Sequence, residues 1–232
     1  MTKITVVQTD NRPNLNYLLK TQEVNKKFCT LLGYNYLFLN LDIANCKNMH
    51  PATQKIKLVY DFLQTTDSDI LIFLDSDAWI HNGHYLNCIM TNLIKDKSKQ
   101  GCFSRDPYVY KNSYINSGSF IIRINDFTKK MYESIHSTLY KSPTHHWNWP
   151  FDQFYISNYV FEHRKHFVIF VPDILNTPLG KVFKHNWLKN QLMWDDLSKV
   201  NYCPLRSSFN EKDFYDKEDF PNVIENGYEY FS

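Results

Sequence analysis

The sequence contains no Cys-x-x-Cys pair, and its five cysteines (Cys29, Cys46, Cys88, Cys102 and Cys203) are odd in number and widely scattered. This spacing gives no disulfide framework and points to small buried thiols in a reducing compartment. There is no Asn-x-Ser/Thr acceptor, which agrees with a life outside the secretory pathway. The opening MTKITVVQTDNRP has only a short apolar run, too short for a signal peptide or a membrane anchor. No membrane span is therefore expected, and the expected location is cytoplasmic. The formal charge of +2 lacks the strong basic excess of a nucleic-acid coat, so no nucleic-acid partner is expected. Neither an internal repeat nor a long low-complexity segment interrupts the chain.

What is present is an ordinary globular composition, with 43% hydrophobic and 22% charged residues, which argues against wholesale disorder. At 232 residues the chain can bury one sizeable core. The expected organisation is a single domain over residues 1–200, followed by an acidic, aromatic tail at 201–232 that packs on the body or is mobile. Because the stretch from Asn210 to Glu229 is acidic, the body before it is more basic than the total suggests, which suits an anionic ligand.

The hydrophobic pattern alternates between strand and helix. Ile4 to Gln8 is a β-branched run, followed by the turn-forming residues Thr9 to Pro13 and a helical stretch from Leu15 to Leu32 that Gly33 ends. Tyr34 to Leu39 is the second strand, and a helix runs from Pro51 to about Gln64, with Ile56, Val59, Tyr60 and Leu63 at helical spacing. Asp69 to Leu74 is the strongest strand, since an unbroken apolar run is what a strand buried on both faces requires. Beyond it the pattern predicts a helix from His84 to Ile94, a strand near Cys102 to Ser104, a loop from Asp106 to Gly118 and a strand from Ser119 to Ile124. Helices from Asp126 to Tyr140 and Phe151 to Phe161, a strand from Phe167 to Val171 and a helix from Trp187 to Leu197 follow. The alternation implies an α/β fold with a central sheet and short crossovers.

Ligands of such sheets bind beyond the carboxyl ends of the strands, where Asp75 and Asp77 stand. One residue apart on a chain leaving its strand, both carboxylates can face one cleft and hold a hard divalent cation, Mn²⁺ or Mg²⁺, against phosphate oxygens. A bare Asp-x-Asp usually means turn capping. At the end of a buried apolar strand, however, two unpaired carboxylates are costly unless something positive meets them.

The block from His50 to Asn82 (HPATQKIKLVYDFLQTTDSDILIFLDSDAWIHN) resembles the Asp-x-Asp glycosyltransferases of the GT-A fold. Within them it is most similar to the fungal galactosyl- and mannosyltransferases and plant xyloglucan xylosyltransferases, and to small transferases of large DNA viruses. Asn116-Ser117-Gly118-Ser119-Phe120, Asp152-Gln153 and Lys184-His185-Asn186-Trp187 follow in the family's order, so the likeness covers Lys3 to Trp187. It implies one GT-A, Rossmann-like nucleotide-diphospho-sugar transferase domain with a mostly parallel sheet flanked by helices. The implied partners are a nucleotide-sugar donor, a UDP-sugar by analogy, and a glycan or other hydroxyl acceptor. If the enzyme is virus-encoded, its setting is the host cytoplasm.

By the same resemblance Asp75, Asp77 and His185 are the metal ligands, with His163, His166, His145 and His146 as alternatives to His185. Thr9, Asp10, Arg12, Lys55, Asp75, Ser76, Asn116, Ser117, Gly118 and Lys184 are implied to touch the donor, with Lys57 as the neighbour that could replace Lys55 and Lys181 beside Lys184. Asp152 and Gln153 are implied at the reacting centre, although helix capping would also explain Asp152. The expected reaction moves a hexose or pentose with retention of configuration. Two other readings stay open: an aspartate-nucleophile phosphatase, whose signature needs Ser or Thr where Trp79 stands, and a catalytically silent sugar-nucleotide-binding module. The resembled enzymes usually carry a membrane anchor, and none is expected here.

Overall fold

Residues 70–74 alternate between two hydrophobic clusters, which explains why this strand admits no polar residue. Ile70, Ile72 and Leu74 enter one cluster, and Leu71 and Phe73 enter the other. The computed structural model describes residues 2–41, 49–107, 114–187, 197 and 200. The expected helix from Trp187 to Leu197 and the tail at 201–232 fall almost wholly outside the described residues.

In chain order the elements are β1 (Ile4–Asp10), α1 (Asn16–Leu32), β2 (Asn35–Asn40), α2 (Pro51–Thr65), β3 (Ile70–Asp75), β4 (Ala78–Ile80) and α3 (Gly83–Lys95). They continue with β5 (Gly101–Arg105), β6 (Ile115–Arg123), α4 (Asp126–Lys141), α5 (Asp152–Glu162), β7 (Phe167–Phe170), α6 (Pro172–Leu175) and β8 (Phe183–His185). The main sheet has the order β2-β1-β3-β6-β5-β7. Only β6 runs against its neighbours, so the sheet is mostly parallel. Helices α1 and α3 cover one face through Val24, Phe28, Leu86, Ile89 and Leu93. Helices α2, α4 and α5 cover the other through Ile56, Val59, Met131, Ile135, Tyr155 and Ile156.

Two features differ from the sequence pattern. The strand expected from Ser119 begins four residues earlier, at Ile115, so Asn116, Ser117 and Gly118 lie within β6 rather than in a loop. Small polar residues read as a turn from sequence, but here β6 runs through them: Asn116 pairs with Ser104, and the register of the ladder to β5 shifts beyond it. The second is a separate two-stranded ribbon of β4 and β8, in which Ala78 pairs with His185 and Ile80 with Phe183.

The antiparallel course of β6 positions the site. The parallel strands β1, β3 and β5 deliver their carboxyl ends, Asp10, Asp75 and Arg105, to one edge of the sheet, while β6 delivers its amino end, Ile115 and Asn116, to that same edge. The β4–β8 ribbon then carries His185 back to it. Among the described residues, no helix is long and apolar enough to cross a membrane.

Candidate active site

The turn leaving β3 is held by a buried polar network on the β1 and α1 side. The Gln8 amide nitrogen donates to the carbonyls of Asp75 (3.0 Å), Ser76 (3.3 Å) and Ala78 (3.3 Å). The Thr21 hydroxyl donates to the Ser76 carbonyl at 2.8 Å. Asn25 accepts from the Ile80 amide at 2.9 Å and donates to the Ala78 carbonyl at 3.2 Å. Gln8, Thr21 and Asn25 are completely buried. These bonds pair the backbone groups of a sharp turn that would otherwise be costly to bury.

With the turn fixed, Asp75, Asp77 and His185 each present a ligand atom, all within 4.8 Å of one another. His185 Nε2 lies 3.1 Å from Asp77 Oδ1 and 3.9 Å from Asp75 Oδ2. The Asn186 amide donates to the Asp77 carbonyl at 2.9 Å and the His185 amide to the Thr177 carbonyl at 3.1 Å, which locks the end of β8 onto the Asp-x-Asp turn. The rival histidines are engaged elsewhere: His146 Nε2 is 2.6 Å from the Leu139 carbonyl, and His163 stacks on Tyr159. His145 packs on Phe154 and His166 on Phe127.

Gly118 makes room for the imidazole. A Cβ at this position would stand 2.0 Å from His185 Cε1 and 2.4 Å from Nδ1, so no side chain other than hydrogen leaves the ring where it is. His185 is 5% exposed, and among the described residues its Nδ1 has no hydrogen-bond partner. A buried nitrogen and two carboxylates converging at this distance are a sound ligand set for a hard to borderline divalent cation such as Mn²⁺ or Mg²⁺.

Lys55 supplies positive charge to the carboxylates around it. Its ammonium donates to both Asp75 oxygens, at 2.8 and 3.1 Å, and lies 3.3 Å from Asp152 Oδ2. Lys55 is therefore a buried residue of the site and not a solvated helix lysine, whereas Lys57 pairs with Asp61 on the exposed face of α2. Burial alone would lower the Lys55 pKa, but the carboxylates of Asp152 and Asp75 outweigh it and hold the ammonium above the ordinary lysine range. Asp75 is pushed up to about 6, chiefly by burial, with Lys55 and His185 opposing. For Asp77 burial is outweighed by the His185 charge and hydrogen bond, so its carboxyl is held below the usual range. At His185 burial is likewise outweighed, here by Asp77, and the imidazole is raised.

Removing Lys55 leaves the Asp75 and Asp152 carboxylates without its ammonium. Lys55→Met is expected to cost about 3 kcal/mol of stability in chelator, as for breaking a buried ion pair. Added Mn²⁺ should restore part of the loss. A melting temperature that is unchanged in chelator would show that the pair does not hold the fold together.

Asp152 opens α5, but the N-cap is Phe151 with no side-chain capping bond, so the carboxylate serves Lys55 rather than the helix. Phe151 has φ 53° and follows the cis Trp149–Pro150 bond. A phenylalanine in this region of φ is held there by its surroundings, here stacking on His50 at 4.3 Å. Gln153 donates through Nε2 to Asp106 Oδ2 at 3.2 Å, and Asn116 Nδ2 donates to the same oxygen at 3.2 Å. Asn116 Oδ1 accepts from the Gly118 amide at 2.9 Å. Asp106 thus ties Gln153 to the strand that seats His185. It stands outside every recognised motif; an acidic residue just past a strand end is the one cue the sequence offers.

The other candidate donor contacts line the β1 edge. Thr9, opposite Asp75 in register, is buried and donates its hydroxyl to the Leu39 carbonyl at 2.6 Å. Asp10 accepts from the Arg12 backbone amide at 2.8 Å and from its guanidinium at 3.0 and 3.1 Å. Arg12 in turn donates to the Tyr17 hydroxyl at 3.3 Å. Tyr17, which also engages the Ser76 side chain, is a site residue absent from the sequence reading; burial raises its pKa despite that contact. Ser76 and Ser117 are buried. Lys184 lies next to His185 in β8 and opposite Trp79, so strand alternation directs it to the other face of the ribbon.

This arrangement is a GT-A type glycosyltransferase fold. Two solved structures share it: a glycosyltransferase involved in glycosylation of the major capsid of PBCV-1, and the glycosyltransferase GlyE of Streptococcus pneumoniae TIGR4. The first superposes with a TM-score of 0.67 at 16% identity, covering 85% of this chain and 100% of that chain. The second gives a TM-score of 0.51 at 11% identity, covering 90% of this chain and 67% of that one. No protein-family model and no curated protein sequence matches the chain.

Proposed function

We propose that this protein is a metal-dependent glycosyltransferase that moves a hexose or pentose from a UDP-sugar to an acceptor hydroxyl with retention of configuration. The observation that carries the reading is the convergence of Asp75, Asp77 and His185 at the carboxyl edge of the sheet, in a fold shared with glycosyltransferases. A divalent cation, Mn²⁺ or Mg²⁺, held by these three side chains would supply Lewis-acid stabilisation of the leaving diphosphate.

The chain's own residues do the rest. Asp10, Arg12 and Tyr17 offer a charged and an aromatic surface beside β1 that suits the nucleoside, with Thr9 and Ser76 supporting it from within. Lys55 keeps Asp75 and Asp152 in place and adds positive charge toward the donor phosphates. Ser117 and Gly118 act through the backbone of β6, which Asn116 braces. Lys184, like Lys181, acts at the phosphates only by reaching round the ribbon. Among the described site carboxylates, Asp152 is held by Lys55 and Asp106 by two amides, so neither is placed as an unencumbered base. The departing phosphate oxygen then accepts the acceptor's proton, which gives front-face substitution and retention. Gln153, uncharged and fixed through its amide nitrogen, directs its carbonyl oxygen to stabilise positive charge at the anomeric carbon.

A phosphatase of the aspartate-nucleophile class would need a hydroxyl where the fully buried Trp79 stands. The deciding measurement is a panel of nucleotide-sugars with Mn²⁺, read as nucleoside diphosphate release, because slow donor hydrolysis requires no known acceptor. Release from at least one donor, abolished by chelation, is expected. Binding without turnover would favour the silent module, and phosphate release from a simple phosphoester would favour the phosphatase.

A further inference from the structure

Two tryptophans stand in solvent on the segment that leads into Asp152: Trp147 is 55% and Trp149 58% exposed. Indoles are usually withdrawn from water because each carries a large apolar area. Neither is loose. Trp149 stacks at a tilt on Tyr114, with centroids 6.4 Å apart and planes at 29°, and Trp147 meets His50 edge-on at 6.2 Å. The Tyr114 carbonyl accepts from the Asp106 amide at 3.0 Å, and the Gln153 amide donates to the Pro150 carbonyl at 3.0 Å. The Trp149–Tyr114 pair is therefore tethered at both ends to the Asp106–Gln153–Asn116 cluster.

From this juxtaposition we infer that Trp149 and Tyr114, beside Asp106 and Gln153, form a seat for a neutral pyranoside, the acceptor of the transfer. The inference rests on the glycosyltransferase reading and names its acceptor class. A pyranose has a C–H face that covers an aromatic ring and a rim of hydroxyls that pair with amides and carboxylates, and this seat offers both. An acyl chain would cover Asp106 and Gln153 without matching the hydrogen-bonding capacity that lies beyond their mutual bond, and the Asp106 carboxylate repels an anionic acceptor. A nucleobase also stacks on aromatics. The donor's base, however, belongs beside Asp10, Arg12 and Tyr17, and the order β1-β3-β6-β5 puts Tyr114 on the far side of β3.

The test uses the full chain with methyl pyranosides of gluco, galacto, manno and xylo configuration, followed by saturation-transfer NMR and tryptophan fluorescence. UDP with Mn²⁺ and a serine- and threonine-containing peptide are measured in parallel. At least one pyranoside is expected to bind saturably, about tenfold more weakly to Trp149→Ala, as when an aromatic anchor is removed from a binding site. Trp149→Phe should retain most of the affinity, and both variants should melt like the wild type and bind UDP unchanged. Pyranosides that bind Trp149→Ala as well as the wild type, no pyranoside binding at all, or binding of the peptide alone would each overturn the seat. If UDP fails to bind while pyranoside affinity still follows Trp149, the saccharide seat stands and the nucleotide-sugar reading falls.

Discussion

Replacing Asp77 with alanine is expected to reduce Mn²⁺-dependent release of nucleoside diphosphate by about a thousandfold, the upper range for losing a group that stabilises transition-state charge. The fold should tolerate the change. Asp77 gains from His185, 3.1 Å away; this contribution is lost as pH falls through the lowered Asp77 pKa and again as pH rises through the raised His185 pKa. Against it stands repulsion from Asp75, which the substitution removes. The net change in stability in chelator is expected to stay within about 1 kcal/mol. Calorimetric titration with Mn²⁺ and UDP would show donor binding that no longer depends on the metal. Turnover that survives in Asp77→Ala would sink the metal-site assignment.

Gly118→Ala is the second substitution with a large expected effect, although Gly118 offers no side chain of its own. The added methyl would fall 2.0 Å from Cε1 of a ring that cannot retreat. His185 is pinned by its pairing with Ala78, by the Asn186 amide on Asp77 and by the edge contact with Trp187 at 5.2 Å. Overpacking of this kind costs about 1–3 kcal/mol, and a displaced ligand lowers metal affinity by about 10–100-fold, as outer-shell substitutions do. The double variant Gly118→Ala/His185→Ala separates the two effects. Its melting temperature should recover toward that of His185→Ala while Mn²⁺ affinity stays low. If Gly118→Ala alone binds Mn²⁺ as the wild type does, the glycine is not what seats the imidazole.

Much of this arrangement was legible in the residues. The apolar run before Asp75 announces a strand buried on both faces, and its clusters on either side of the sheet explain why no polar residue interrupts it. Asp75, Asp77 and His185 could be paired from motif order, but only the ribbon shows how a residue 108 positions after Asp77 reaches it. Three-residue strands such as Ala78–Ile80 and Phe183–His185 are too short to carry a periodicity. Asn116 to Gly118 read as a turn because small polar residues favour turns, whereas the fold carries β6 through them, with Asn116 paired to Ser104 of β5. Gln8, Thr21 and Asn25 were unreadable for another reason: each is an unremarkable polar residue until the tertiary fold brings backbone carbonyls to it.

The clamp made by those three side chains has an engineering consequence. It fastens the Asp75–Asp77 turn to the amino-terminal scaffold, whereas Tyr114, Trp149 and Asp106 come from the stretches leading into and out of β5, β6 and α5. The two ends meet at β6, where Asn116 binds Asp106 on one side and the Gly118 amide on the other. Under the proposed function, exchanging Tyr114 and Trp149 while keeping Asp106 and Gln153 should alter what receives the sugar and leave the Asp75–Asp77–His185 group in place.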